Sequence, residues 1–326
     1  MSLRLTCLES PIIIGRNTIE YAERRMLTLA KVTILGTGAM GSRMAEVLLK
    51  SGNSVVVWNR SPEKTAPLIS AGAVYAETPA AAVGDADFVI SMLRDNDASR
   101  DVWLSESNGA LKAMPVNAVL IESSTITPDW AKDLSEQCRH SGIAYLDAPV
   151  VGSRPQAAAG QLIFLVGGDK SAYEKAGPLF ETMGKAAYFL GPAGSGAVVK
   201  LVVNSLLGVQ VTALAELIGV LRRLDIDTAK AVEVICATPV ISPSASLAAT
   251  SILSENFAPL FPVELIEKDM NYLLATAAQA DAQTPMVEAA GNVFRKAIEA
   301  GYGGEQMTAA AKLYKQIESR IVRGVS

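Results

Sequence analysis

The sequence predicts an α/β protein: a doubly wound parallel sheet followed by an all-helical C-terminal domain, the two joined by a long central helix. Three observations lead there. Between residues 31 and 64 an apolar run, a glycine turn, a helical pattern and a second apolar run follow one another as a βαβ unit. Short apolar runs and helical patterns then alternate to about residue 190, as in a parallel sheet covered by helices. Beyond the break GPAGSG at 191–196 only helical periods remain.

In the βαβ unit, residues 32–35 make the first strand, Met44, Val47 and Leu48 the apolar stripe of the helix, and residues 54–58 the second strand. Further strands are expected at 73–75, 87–92, 118–121, 144–146, 162–166 and 187–190. Thr78 and Pro79 open a helix as N-cap and first residue, and another runs over 128–139. The segment 197–221 is apolar enough to suggest a membrane span, but Lys200, Asn204, Gln210 and Glu216 interrupt it. It reads as a helix buried in protein. Helices at 228–237, 263–280, 285–300 and 306–320 complete the chain. The expected domains are an extension at 1–25, ahead of a natural-looking start at Met26, a dinucleotide-binding domain at 26–192 and a helical substrate domain at 193–326.

Of the 326 residues half are hydrophobic and 19% charged, which suits a packed globular chain of about two domains. A net charge of -4 and a pI near 5.3 give no basic footprint for nucleic acid. The first 25 residues hold a few Arg residues and a short apolar patch at 11–14 but no long apolar leader; they read as a start-site addition, with organelle targeting as the alternative, and no membrane partner is expected. Cys7, Cys138 and Cys236 lie far apart without metal-ligand spacing, in keeping with a reduced, cytoplasmic setting and no metal. The single histidine, His140, ends a helix and reads as a capping partner.

The chemistry starts at Gly36-Thr37-Gly38-Ala39-Met40-Gly41. In this G-x-G-x-x-G spacing Gly36 permits the tight turn, Gly38 lets backbone approach a pyrophosphate, and Gly41 lets the helix pack against the sheet. The N–H groups at the helix start then face the phosphates. An ordinary strand-to-helix connection has the same glycines; the surrounding βαβ pattern favours the dinucleotide. The second strand ends Trp58-Asn59-Arg60-Ser61, with no acid for ribose hydroxyls. Arg60 suits a 2′-phosphate, with Asn59, Ser61 and Lys64 as further donors, so NADP is expected; the plain alternative is a solvated surface cation.

Three loops beyond strand ends are candidates for the substrate side: Leu93-Arg94, Ser123-Ser124-Thr125, and DAPVVGS at 147–153. In the last, Gly152 can expose N–H groups to an anion, although the motif alone reads as a plain turn. Lys200 has only apolar neighbours within three positions, and a buried lysine is expensive unless paired or used. Asn204 follows one helical turn later on the same face. Burial favours the neutral amine, which suits proton transfer; snorkelling to the helix end is the alternative. In FPVELIEKD, at 261–269, Lys268 and Asp269 form by default an exposed ion pair. Should the helical domain close over the nucleotide, Lys268 reaches the cofactor and Phe261 walls the pocket. Met40, Met44 and Met92 read as core.

Taken in order, GTGAMG, DAPVVGS with AAAGQLIFLVGGD after it, GAVVKLVVN and EKDM resemble the β-hydroxyacid dehydrogenases, which include 3-hydroxyisobutyrate dehydrogenases and tartronate semialdehyde reductases. Asn59-Arg60-Ser61, Gly152-Ser153 and FPVELIEKD are most similar to the glyoxylate and succinic semialdehyde reductases, which use NADPH. The resemblance implies a Rossmann domain, a helical domain that also serves dimerisation, an active site in the cleft between them, and a homodimer or homotetramer. By motif, Lys200 matches the catalytic lysine and Asn204 the residue that orients it. Thr125 matches a contact to cofactor and substrate, Leu93-Arg94 a nicotinamide-side loop, Lys268 a cofactor-contacting lysine, and Phe261 and Asp269 pocket residues. One departure stands out: Val151 occupies the place of a serine that binds the substrate carboxylate with the glycine after it. The Gly152 and Ser153 backbone donors are expected to remain for that task. Arg94 stands where many relatives carry a smaller or neutral residue.

The expected activity is reduction of a small aldehyde or 2-oxo acid by NADPH, with Lys200 as proton donor. An imine reductase of the same architecture is the alternative, favoured by Val151 and disfavoured by Lys200, which those enzymes usually replace. A silent NADP-binding scaffold is a second alternative. A 6-phosphogluconate dehydrogenase is disfavoured, because Val202-Val203-Asn204 stands where that enzyme has a His-Asn pair after its lysine.

Overall fold

The computed structural model describes residues 29–315; the extension read at 1–25, with Cys7, lies outside them. The chain opens with β1 (Lys31–Leu35), α1 (Gly41–Lys50) and β2 (Ser54–Trp58). It continues through α2 (Ala66–Ser70), β3 (Val74–Tyr75), α3 (Pro79–Val83), β4 (Phe88–Ser91), α4 (Asn96–Leu104), β5 (Val119–Glu122) and α5 (Pro128–His140). Next come β6 (Ala144–Asp147), β7 (Val150–Val151), α6 (Arg154–Ala158), β8 (Leu162–Gly168), α7 (Lys170–Met183) and β9 (Gly184–Gly191). The helical part holds α8 (Ser195–Arg223), α9 (Thr228–Cys236), α10 (Pro243–Leu253), α11 (Val263–Gln279) and α12 (Pro285–Glu299). Two compact units result, one ending at Lys200 and the other starting at Leu201, so the division falls inside α8.

In the first unit the strands form one sheet in the order β3-β2-β1-β4-β5-β6-β8-β7, with β9 on β8. From β3 to β6 every pairing is parallel, as the alternating pattern predicts. Both faces are buried, which is why these strands read as continuous apolar runs. Val32, Ile34, Val57, Ile90 and Ile121 pack on one face with Met44, Leu48 and Phe180. Leu35, Val89, Leu120 and Tyr145 pack on the other with Trp103, Trp130 and Leu134.

The sheet departs from the expectation beyond β6. β8 runs antiparallel to both β6 and β7, because the segment after β6 turns back through a two-residue strand and a five-residue helix instead of a full crossover. β7, α2, α4, α6, α7 and α10 were not legible as separate elements. In α7 the pair Gly177-Pro178 sits inside the helix and resembles a break. The helix expected at 306–320 is a 3-10 segment over Met307–Tyr314, and its last residues lie outside the described ones.

The glycine turn is held by close backbone packing. Gly36 adopts φ +99°, and a Cβ there would lie 2.5 Å from the Met92 carbonyl oxygen. A Cβ on Gly41 would lie 2.0 Å from the Gly36 carbonyl oxygen. At Gly38 a Cβ would meet nothing within 4 Å. His140, as expected, meets the last turn of its own helix: Nδ1 lies 2.9 Å from the Glu136 carbonyl oxygen.

The second unit packs α8, α10, α11 and α12 around Val211, Ala248, Ile266, Met270, Phe294 and Ala297. Gly208 allows the close approach, since a Cβ there would lie 2.8 Å from Met270 Sδ. By length and composition α8 could cross a membrane, yet 44% of its most apolar window is buried within the protein. Lys200, Asn204, Ser205 and Thr212 are buried along it.

The glycine contacts predict a contrast between two substitutions. Gly41→Ala forces backbone apart and should destabilise the chain by about 1–3 kcal/mol, whereas Gly38→Ala should stay within about 0.5 kcal/mol of the parent. Urea denaturation measures both; equal stabilities would contradict the packing described.

Candidate active site

The turn after β1 and the loop after β2 are tied by one side chain. Asn59 Oδ1 accepts a hydrogen bond from Thr37 N–H at 3.0 Å, and Asn59 Nδ2 donates to the Ser61 carbonyl at 3.0 Å. This leaves Arg60 and Lys64 exposed at the rim, with Ser61 half-buried between them. The start of α1 has no side-chain cap at Met40 and no acid in its first turn. Ser42 N–H is taken by the Gly38 carbonyl at 3.1 Å, and the partial positive charge of the helix start favours an anion there.

At the neighbouring strand ends a buried carboxylate organises the loops. Glu122, fully buried, accepts from Ser99 Oγ at 2.6 Å, Trp103 Nε1 at 3.0 Å and Ser124 N–H at 2.9 Å. Trp130 Nε1 donates in turn to Ser99 Oγ at 2.9 Å. Ser124 Oγ then accepts from Leu93 N–H at 2.7 Å, which joins the Leu93-Arg94 loop to the Ser123-Ser124-Thr125 loop. Arg94 reaches outward, its side chain 60% exposed and its Nε 3.9 Å from Asp95.

At the DAPVVGS segment the backbone is fixed on both sides. Val151 pairs with Ile163 in the β7–β8 ladder, and Gly152 turns at φ +128°. Ser153 begins α6 in a capping box with Gln156, whose Oε1 accepts the Ser153 N–H at 2.9 Å. The expectation that this N–H remains for a substrate anion is corrected by that bond; the capping box uses it. Asp147, at the other end of the segment, is fully buried at the start of α8. Its Oδ1 accepts from Gly194 N–H and its Oδ2 from Ala197 N–H, both at 2.8 Å. Burial pushes this carboxyl up to about 6, although the backbone donors pull the other way.

Lys200 sits five residues after the start of α8 and is 9% exposed. Asn204, one turn on, is 4% exposed, and its Nδ2 donates to Asp269 Oδ2 at 2.7 Å. Asp269 Oδ1 accepts from Lys268 Nζ at 2.7 Å, and Lys268 lies over the Tyr272 ring at 4.4 Å. The pair expected to be exposed is therefore buried, with side chains 16% and 2% accessible. Helix α11 turns it inward because Val263, Ile266 and Met270 on the same helix fill the core. Phe261 packs half-buried beside that core, its N–H donating to Gln306 Oε1 at 2.7 Å.

The first unit thus gathers Gly36, Gly38, Gly41, Asn59, Leu93 and Ser124 at the carboxyl ends of β1, β2, β4 and β5, and the second gathers Asn204, Lys268 and Asp269. The residues of the first unit fit a dinucleotide. Gly38 offers open space beside uncapped helix amides, and the hydroxyls of Thr37, Ser91 and Ser123 are buried without a hydrogen-bond partner. Buried hydroxyls of this kind need a partner, which the polar groups of a bound dinucleotide would supply. Sequence reasoning missed Glu122 and Asp147; the one available signal was an acid closing each apolar run, in AVLIE and AYLD. Among the described residues no three His, Cys, Asp or Glu side chains gather as a metal site.

Comparison with known proteins identifies the family. Residues 31–191 match the family described as the NAD-binding domain of 6-phosphogluconate dehydrogenase. Residues 194–314 match the NAD-binding region of NADP-dependent 3-hydroxyisobutyrate dehydrogenase. The chain is 33% identical to glyoxylate/succinic semialdehyde reductase 2, chloroplastic, of Arabidopsis thaliana, over 96% of its own length and 87% of the relative's. It is 32% identical to the cytokine-like nuclear factor N-PAC of Drosophila melanogaster over 84% of its length, but spans only 46% of that protein. The solved structure of Mycobacterium tuberculosis 3-hydroxyisobutyrate dehydrogenase with L-serine superposes with a TM-score of 0.81 at 27% identity, over 89% of this chain and 100% of that one. With the glycine turn, the buried lysine and two family matches in tandem, the chain belongs to the β-hydroxyacid dehydrogenases of the 3-hydroxyisobutyrate dehydrogenase type, NAD(P)-dependent oxidoreductases acting on CH–OH groups.

Proposed function

We propose that the protein is an NADPH-dependent reductase of small aldehydes or 2-oxo acids, of the glyoxylate, succinic semialdehyde or tartronate semialdehyde type, with Lys200 as proton donor. The observation that carries this reading is a lysine 9% exposed on α8, with an asparagine 4% exposed one turn later. NADPH supplies the hydride when bound. Lys200, as its ammonium, holds the proton at Nζ, stabilises the negative charge that develops on the carbonyl oxygen, and transfers the proton to it. In the reverse direction the neutral amine accepts the hydroxyl proton. Asn204 serves by orientation: with its amide nitrogen engaged by Asp269, its amide oxygen is the end that accepts from an ammonium. Lys268, held on the other oxygen of Asp269, fixes that carboxylate in place.

Support for NADP comes from the loop after β2, where Asn59 is taken up by the glycine turn and Arg60 and Lys64 stay exposed, with no acid at the strand end. The two Arabidopsis relatives named glyoxylate/succinic semialdehyde reductases, 33% and 30% identical, support the substrate class. A second reading, a protein that binds NADP without turnover, is favoured by the relative named as a nuclear factor rather than a reductase. Assembly into a homodimer or homotetramer is supported by the exposed apolar residues Val202, Leu206, Leu217 and Val220 along α8.

An NADPH-oxidation assay over glyoxylate, succinic semialdehyde, tartronate semialdehyde and a cyclic imine tests the proposal. Turnover should be confined to the short carbonyls, and Lys200→Ala should lower kcat by about 100-fold or more with NADPH affinity within about threefold. Full turnover in that variant sinks the assignment; tight NADPH binding with no turnover of any carbonyl favours the second reading. Arg60→Ala should raise KM for NADPH about 10-fold or more and leave that for NADH nearly unchanged, because only the phosphorylated cofactor loses a charge-assisted bond. Val151→Ser restores a hydroxyl donor on an unchanged β7 backbone. Steady-state kinetics should then show kcat/KM for glyoxylate rising about 10-fold while a neutral aldehyde gains little.

A further inference from the structure

The first turn of α8 is capped from the sheet and not from its own sequence. A helix start leaves four N–H groups without intrahelical partners, and a local Ser, Thr, Asp or Asn usually takes one of them. Here the residue ahead of the helix is Gly194, at φ +93°. Two of these donors, Gly194 N–H and Ala197 N–H, go to the carboxylate of Asp147, the last residue of β6. Glycines wall the seat. A Cβ on Gly167 would lie 2.7 Å from Asp147 Oδ1, and one on Gly196 would lie 2.9 Å from Asp147 Oδ2 and 2.2 Å from the Leu165 carbonyl oxygen. Ala197 itself is buried in the core under β5 and β6. The first turn of the helix therefore has one position on the sheet edge, and Lys200 follows Ala197 by three residues, about 4.5 Å along a rigid axis.

We propose that Asp147 is a positioning residue for the proton donor: by holding two amides of the first turn of α8 it fixes the height and rotation at which Lys200 leaves the helix. The inference rests on the reading of Lys200 given above. Both carboxylate oxygens are occupied by backbone amides, so Asp147 acts through the helix and not on substrate. In Asp147→Asn the size is kept, but one amide of the helix faces an NH2 group in place of an acceptor.

The test compares Asp147→Asn with Lys200→Ala and the unaltered enzyme, following kcat across pH, NADPH affinity by fluorescence, and amide exchange. Asp147→Asn should lower kcat by about 10- to 100-fold, as expected for a misplacement on the order of 1 Å. It should leave NADPH affinity within about threefold and displace the lysine limb of the kcat profile. In the unaltered enzyme the Gly194 and Ala197 amides should exchange far more slowly than free peptide, which reads the cap even where the variant does not fold. An equal loss of kcat at every pH, a fall in NADPH affinity in step with kcat, an unchanged kcat, or unprotected amides would each overturn the proposal. Full turnover in Lys200→Ala would instead remove the reading beneath it, whatever Asp147→Asn does.

Discussion

Burying a carboxylate is expensive unless donors converge on it, and this chain meets that constraint three times. Glu122 collects a serine, a tryptophan and a backbone amide, and through Ser124 it holds the loop at Leu93. Asp147 collects the two amides at the start of α8. Asp269 collects Asn204 and Lys268. In each case the acid fixes something other than itself. The first two lie in register on adjacent strands, Glu122 opposite Asp147, at the edge where a parallel sheet places its ligands.

Much of this was legible beforehand where the signal is local. The glycine turn, its flanking strands and α1 are written within one short stretch, and the long apolar helix with a lysine in it announces itself by periodicity alone. Long-range partners were not legible. Asp147 and its donors are separated by 47 and 50 residues, and Glu122 and its serine by 23. Nothing in AYLD or AVLIE says which amides will arrive. Local chemistry also hid one result: Ser153 and Gln156 satisfy each other across three residues, and this removes a donor that the loop sequence offers on paper.

Lys268-Asp269 teaches the same lesson from the opposite side. Adjacent opposite charges near a helix surface usually form a solvated pair, and only the packing of Val263, Ile266 and Met270 on α11 turns Asp269 inward. Once buried, the carboxylate needs two donors, and Asn204 supplies the second. A residue marked by motif as part of a pocket is thereby also the reason why the amide beside the lysine has one orientation and not two.

The two-residue strand β7 has a bearing on how such proteins diversify. Its place depends on main-chain pairing with Phe164 and Ile163 and on the glycine after it, not on what the side chain at 151 is. Exchange at that point changes the polarity of the side chain there while the frame stays as it was. On the proposed function, a lineage of such enzymes would drift from acids toward neutral carbonyls through one codon, with folding left out of the transaction.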